Sequence, residues 1–424
     1  RFCGNFTVNE PDRKGDEITC RHCRAPLNLK FLDLGFSPPS NAYLNAADLN
    51  APEVYYPLRL FVCTACWLVQ TQDFARADEL FRDDYAYFSS VSTSWQRHAK
   101  DYVDMIVARQ GLDGSSFVIE LASNDGYLLR HFVERGIPCL GIEPTLATAQ
   151  AARELGVETL TEFFTESLAG DIRQRSSPAD LVVGNNVFAH VPDILDFAKG
   201  IERVLSDDGI VTLEFPHLLE LIANNQFDTV YHEHFSYLSL LSVSSIFANA
   251  GLRVFDVAKL ATHGGSLRLF ACRQHSAHET TPAVAALLET ERRFGLADHA
   301  VYEGFQQRAV RIKHDLLAFL LSARSQGKTV IAYGAAAKGN TLLNYAGVGD
   351  DLLLGVCDAA PSKQGKFLPG SHLRIHPPAW IDEIRPDYVL VFPWNIITEI
   401  EAKLSHVRDW DARFVTAIPS IKVF

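Results

Sequence analysis

No apolar stretch in this chain approaches the ~20 residues that a bilayer-spanning helix needs, and no basic-then-apolar leader opens it. Both absences point to a soluble cytoplasmic protein with no membrane partner. Basic residues are outnumbered, with 39 Lys and Arg against 51 Asp and Glu, for a net charge of −12. Binding nucleic acid needs a cationic surface, so this balance argues against such a partner. Met105 is the only methionine, and a chain that starts at Arg1 reads as trimmed at its beginning. Residues 1 to about 16 are expected to be a poorly ordered tail. Short-period repeats and low-complexity tracts are lacking too, which leaves ordinary globular domains. At 424 residues, with 47% apolar and 21% charged side chains, the chain exceeds one core and divides into two or three domains.

What is present begins with eight cysteines. Cys20, Cys23, Cys63 and Cys66 form two C-x-x-C pairs, while Cys3, Cys139, Cys272 and Cys357 are scattered and read as buried or tail residues. In a reducing compartment, two such knuckles suit tetrahedral Zn²⁺ better than disulfides. A thioredoxin-like redox pair would need a βαβ context, which neither pair has. His22 could replace a ligand, but four thiolates already close a structural site. Zinc would staple a segment with little core of its own.

From Phe117 the pattern alternates. Strands are expected at Phe117–Leu121, Cys139–Ile142, Leu181–Val183 and Ile210–Phe215, with helices at Tyr127–Glu134, Ala147–Leu155 and Ile194–Leu205 between them. Such βαβ alternation implies a doubly wound parallel sheet. A helical stretch between Ala283 and Ser325 leads to a second βαβ block, with strands expected at Thr329–Tyr333, Leu352–Cys357 and Tyr388–Phe392.

The first strand of the middle block ends in Glu120-Leu121-Ala122-Ser123-Asn124-Asp125-Gly126. Ligands of open α/β sheets sit at such carboxyl ends. Two acids around the loop disfavour a pyrophosphate and favour a cationic ligand, which S-adenosylmethionine supplies with its sulfonium and ammonium. Glu143, ending the next strand, suits ribose hydroxyls. The bland alternative is that Glu120 and Asp125 only cap a helix. Further on, Tyr231-His232-Glu233-His234 packs two imidazoles, a carboxylate and a phenol into four residues. It could move a proton, polarise a carbonyl or hold a metal. The Gly334-x-x-x-x-Gly339 loop is weak evidence for a dinucleotide on its own.

Taken together, these motifs resemble the sugar C-methyltransferases of deoxysugar biosynthesis. Those enzymes methylate the carbon beside the ketone of a nucleotide-linked 4-keto-6-deoxysugar. The resemblance rests on the paired C-x-x-C segment, Tyr85-x-Tyr87 with the serines after it, and Glu120 to Gly126. It also rests on Asn185-Asn186-Val187-Phe188-Ala189-His190, the Tyr-His-Glu-His run, His263-Gly264-Gly265 and Gly334 to Gly339. One departure is Ala122, where the family commonly has glycine; alanine fits that turn only if φ stays negative.

The resemblance implies an α/β protein in three parts. These are a small N-terminal zinc-binding domain (1–77), a Rossmann-like S-adenosylmethionine methyltransferase domain (78–285), and a helical connector with a second Rossmann-like, substrate-binding domain (286–424). It implies a cofactor site of Tyr87, Ser90, Glu120, Ala122, Asn124, Gly126 and Glu143, with Phe163 and Phe164 beside the adenine and Asn185 near the methionine part. Active-site roles are implied for Tyr85, His190, Tyr231, Glu233 and His234.

Methylation beside a ketone requires an enolate, hence a base that titrates near neutrality. His234 is assigned as that base with Glu233 as its orienting partner; because neighbours on a strand face opposite ways, the pair needs a turn. Tyr85, Tyr231 and His190 would position the sugar or donate to the enolate oxygen, and His232 faces away. A dTDP-linked sugar would place its diphosphate near Gly334 to Lys338, with Lys338 as counter-charge. His263 and Gly264, which equally suit a plain turn, and Asn395 complete the substrate set, and Trp394 and Lys363 are softer candidates. The protein is expected to be a monomer. Its rivals are an NAD-dependent oxidoreductase or epimerase on such sugars and a non-catalytic zinc-stabilised binding protein.

Overall fold

The computed structural model describes residues 18–74 and 88–424. The expected N-terminal tail, Tyr85 and Tyr87 lie outside them. The first sheet is antiparallel: β1 (Leu29–Ser37), β2 (Tyr56–Val62) and β3 (Val69–Thr71). In β2 the buried Leu58, Leu60 and Val62 alternate with half-buried residues, the period of a one-sided strand. Its fourth strand comes from far along the chain. β9 (Ser236–Tyr237) pairs with β3 through Val69↔Tyr237 and Gln70↔Ser236, so the small sheet grips the residues directly after Tyr231–His234.

The middle sheet contains β4 (Val118–Leu121), β5 (Cys139–Ile142), β6 (Thr159–Leu160), β7 (Ala179–Asn185), β8 (Leu205–Pro216), β10 (Leu252–Leu260) and β11 (Ser266–Arg273). Their order is β10-β11-β8-β7-β4-β5-β6. Strands β4 to β8 pair in parallel, while β11 runs antiparallel to both β8 and β10. Helices return between the parallel strands. Ile194–Val204, for example, buries Ile194, Phe197, Ala198, Ile201 and Val204 on one face and is capped by Asp193. Chain order reverses between β4 and β7, where an open α/β sheet forms its crevice.

The third sheet has the order β14-β13-β12-β15-β16-β17. Its strands are β12 (Val330–Tyr333), β13 (Val356–Cys357), β14 (Ile375–His376), β15 (Tyr388–Val391), β16 (Arg413–Thr416) and β17 (Lys422–Val423). All pairings are parallel except the last. The helices Pro282–Phe294 and Phe305–Ser325 lead into it. The architecture is α/β, with two Rossmann-like sheets and a small cysteine-knuckle sheet. No helix among the described residues is long and apolar enough to cross a membrane.

Two expected elements lose half their length or more. The helix at Tyr127–Glu134 contracts to Arg130–Val133, because tight turns such as Gly126 N–H to Ser123 O and His131 N–H to Leu128 O take up the preceding residues. The strand at Leu352–Cys357 shrinks to Val356–Cys357, because the amides of Leu352 and Leu353 close a turn on the Gly349 carbonyl. A strap from the N-terminal segment joins the first and third parts. Leu44 pairs with Phe367, and the Tyr43 hydroxyl donates to the Ala335 carbonyl at 2.6 Å.

Candidate active site

Each knuckle turns through a left-handed residue just after its second cysteine, Arg24 (φ 63°) and Trp67 (φ 59°). Backbone bonds Arg24 N–H to Cys20 O and Trp67 N–H to Cys63 O close the turns. The turns aim all four sulfurs at one point, within 4.8 Å of one another. Cys20 and Cys66 are 3.6 Å apart at sulfur, and Cys23 and Cys63 are 3.4 Å apart. Four thiolates at Zn–S distances near 2.3 Å need sulfur spacings of about 3.8 Å, so the donor set fits zinc after slight expansion. Arg21, inside the first knuckle, donates to the Pro192 carbonyl at 2.8 Å and lies over the Phe235 ring.

At the β4/β7 crevice a chamber of about 590 Å³ opens. Ala122, Asn124, Glu143, Phe163, Phe164 and Asn185 line one side of it. Glu143 is held by the backbone N–H groups of Asn124 (3.0 Å) and Thr145 (2.9 Å). Asn185 is buried, and neither of its amide atoms has a hydrogen-bond partner among the described residues. Such orphaned groups are costly without a ligand. A fixed carboxylate, an unsatisfied amide and the 46% exposed Phe163 fit a polar, aromatic-bearing cofactor such as S-adenosylmethionine.

Several expectations for this side need correction. Glu120 lies beneath the loop and does not line the chamber. Burial, with Asp125 and Glu143 adding repulsion, pushes its carboxyl well above the usual carboxylate range. Gly126 does not line it either; its positive φ of 76° and the nearby Ala152 and Val157 make it a packing glycine. Ser90 works from outside, its N–H donating to Asp125 at 3.1 Å. Phe164 packs edge-to-face on Phe197 and fills the space over Gly200. Ala122 does not keep a negative φ but sits at 55°, held by the loop on both sides. Left-handed alanine costs roughly 1–2 kcal/mol, partly offset in a glycine variant by unfolded-state entropy. Ala122→Gly should therefore raise Tm by a few degrees in a thermal melt; a lower Tm would contradict this strain.

The chamber continues to Tyr231, Glu233, His234, His190 and His263. The run is a turn, with His234 N–H bonded to the Tyr231 carbonyl. The expected His234–Glu233 pair does not form. His234 Nδ1 meets the Thr229 carbonyl at 3.1 Å, and Nε2 meets the Tyr231 hydroxyl at 2.6 Å. A carbonyl only accepts, so Nδ1 carries the proton and the Nε2 lone pair accepts from Tyr231. Glu233 is held instead by Asn41, whose Nδ2 donates to both carboxylate oxygens at 2.8 Å. His232 faces away, toward the Tyr56 carbonyl.

His190 packs at 4.6 Å between ring centroids on His234. Burial holds His190 and His263 down to about 4, and burial with neighbouring His190 holds His234 well below 6.5. A histidine depressed in this way keeps its lone pair as pH falls through 6.5 and protonates only near its lowered value. The acidic limb of kcat/KM, which reports the free enzyme, should therefore have its midpoint below 6.5, the ordinary histidine value. A midpoint at 6.5 or above would mean that the base is not one of these imidazoles.

From the third sheet, Ala336, Ala337, Lys338 and Lys363 reach the chamber. Gly334 and Asn395 do not line it. Gly334 (φ 91°) lies against Pro393, and Gly339 lies against Phe392, so both glycines serve strand and helix packing. The loop amide of Ala335 donates to Asp358 at 2.7 Å, which ties the residue after β13 to the loop. Asn395 accepts from Lys338 Nζ at 2.6 Å. His263, at φ 55°, accepts from Asn186 Nδ2 at 3.0 Å. Gly264 packs behind it against the Trp394 ring, where a Cβ would overlap. Asn41, Asn186, Trp95 and Thr145 also line the chamber and were not singled out from sequence. Asn41 carried no signal beyond a Pro-Pro-Ser turn; Asn186 lay inside a quoted motif.

The chain is 37% identical over 404 residues to the C-methyltransferase NovU of Streptomyces niveus, covering 95% of this chain and 96% of that protein. Three family models match in order: a zinc binding domain at 20–81, a methyltransferase domain at 95–257 and a C-methyltransferase C-terminal domain at 261–419.

The chain belongs to the C-methyltransferase family.

Like this family, it is an S-adenosylmethionine-dependent C-methyltransferase with a four-cysteine zinc site. Among solved structures, magnesium protoporphyrin IX methyltransferase from Synechocystis PCC 6803 is 16% identical, covering 42% of this chain and 79% of that one, with a TM-score of 0.33. The CcbJ methyltransferase of Streptomyces caelestis is 12% identical over 41% and 89%, with a TM-score of 0.33.

Proposed function

We propose that this C-methyltransferase acts on the carbon beside the ketone of a nucleotide-linked 4-keto-6-deoxysugar through base-catalysed enolisation. One observation carries the reading. A single chamber holds the Asn185–Glu143 side, the imidazole cluster and two lysines of the third sheet, so a cofactor and an anionic sugar nucleotide can meet at His234.

His234 takes the α-proton at Nε2, freed when the Tyr231 hydroxyl yields to substrate. Its Nδ1–H stays on the Thr229 carbonyl, which keeps the ring from turning. Glu233, immobilised by Asn41, accepts from a sugar hydroxyl, and His190, Tyr231 and Tyr85 position the ring. On the other side Asn185 supplies donor and acceptor to the amino-acid end of the cofactor, Glu143 binds its ribose, and Phe163 lies beside its adenine. The bound cofactor supplies an electrophilic methyl group. A dTDP diphosphate lies along the loop that opens the Ala337–Ala346 helix, beside Lys363. The domains divide near residues 77 and 285, and the protein works as a monomer.

The test is incubation with S-adenosylmethionine and a panel of dTDP-4-keto-6-deoxysugars, with products read by mass spectrometry and NMR. A sugar methylated on a ring carbon next to the ketone is expected. A methyl on oxygen only, or no methylated sugar across the panel, would refute the reading.

A further inference from the structure

The two chamber lysines sit in different surroundings. Lys363 donates to the Ala335 carbonyl at 2.8 Å, lies 3.8 Å from the Asp358 carboxylate and approaches the Tyr43 ring at 5.4 Å. It therefore belongs to the loop that opens the Ala337–Ala346 helix. Lys338 belongs to the imidazole end. Its charge acts on both His234 and His263, and its ammonium sits 4.5 Å above the Trp394 ring that packs on Gly264, next to His263.

Lys338 is also held in place. Asn395 accepts one of its three N–H donors at 2.6 Å. Trp394 is fixed in turn by its indole N–H on the buried Asp228 at 2.7 Å. An ammonium with donors to spare, set by a rigid shell, is the arrangement that stabilises developing negative charge.

The geometry of the substrate separates the two tasks. The ketone oxygen is on the carbon adjacent to the one that loses its proton, so its donor must share the His234 end. The diphosphate hangs from the anomeric carbon, farther round the ring. We infer that Lys338 is the electrophile of the enolisation, donating from Nζ to the ketone oxygen, and that the diphosphate is left to Lys363. In this step the α C–H bond breaks and its proton passes to His234 Nε2. The C–H pair becomes the enolate C=C, and the carbonyl π pair moves onto the oxygen that Lys338 hydrogen-bonds. The inference rests on the proposed enolisation.

The experiment compares wild type, Lys338→Met and Lys363→Met in two assays. One is calorimetric binding of thymidine diphosphate, which has no ketone. The other is wash-in of solvent deuterium at the sugar α-carbon under saturating dTDP-4-keto-6-deoxysugar. Lys338→Met should bind thymidine diphosphate like wild type and exchange about 10²–10³-fold more slowly. Lys363→Met should weaken thymidine diphosphate about tenfold or more. If Lys338→Met alone misfolds, the charge-balanced Asp228→Asn/Lys338→Met double variant is expected to show the same split. Undiminished exchange in the Lys338 variants, or loss of thymidine diphosphate affinity without loss of exchange, overturns the inference and leaves enolisation standing. No exchange in wild type overturns both.

Discussion

Replacing His234 with alanine should slow α-proton exchange and methyl transfer by about 10²–10⁴-fold, the usual contribution of a positioned general base. S-adenosylmethionine affinity should survive. The asymmetry follows from the layout: His234 lies on the turn before β9, while Glu143 and Phe163 follow β5 and β6 and Asn185 ends β7. The imidazole is buried, with both nitrogens engaged by Thr229 and Tyr231, and it is deprotonated at neutral pH. Kinetics and calorimetry on one preparation check both halves. Unchanged turnover in the variant would remove His234 as the base.

The second large effect is expected far from the chemistry. Cys63→Ser, or zinc removal by a chelator, should open the β1–β3 sheet and abolish exchange. Structural zinc in small domains supplies folding free energy of about 10–16 kcal/mol, and this sheet has no core of its own, packing Phe31, Leu60 and Val69 in one cluster with the Phe305–Ser325 helix. The activity loss follows because β3 pairs with β9 and the Thr71 N–H bonds the Phe235 carbonyl. Those contacts grip the chain immediately after His234. Arg21, between two zinc ligands, also braces Pro192 behind His190. Circular dichroism, zinc release and exchange should change together, whereas Cys139→Ser, outside the knuckles, should change none of them. Full exchange in zinc-free protein would contradict the coupling.

Much of this organisation was legible in the sequence because it is periodic or local. The Cys139–Ile142 strand follows from a short continuous apolar run and the Ile194 helix from apolar residues at the period of 3.6. The knuckles follow from spacing alone. What escaped depends on long-range geometry. Strand β9 has two residues and pairs with a strand far upstream. Asn41 reaches Glu233 only because the strap folds across the third sheet. The His234–Glu233 pairing failed because the turn that brings His234 into the chamber offers its nitrogens to Tyr231 and Thr229 instead. Ala122 adopts a positive φ that its side chain resists, which no local preference foretells.

The central claim is that this chamber makes an enolate. Its most direct measurement is solvent deuterium incorporation by wild-type protein into a dTDP-4-keto-6-deoxysugar with no methyl donor present, followed by NMR. Deuterium appearing at a ring carbon next to the ketone, faster than in buffer alone, is the predicted result. Substrate recovered without deuterium at that carbon, from protein that still methylates it when S-adenosylmethionine is added, would contradict the account.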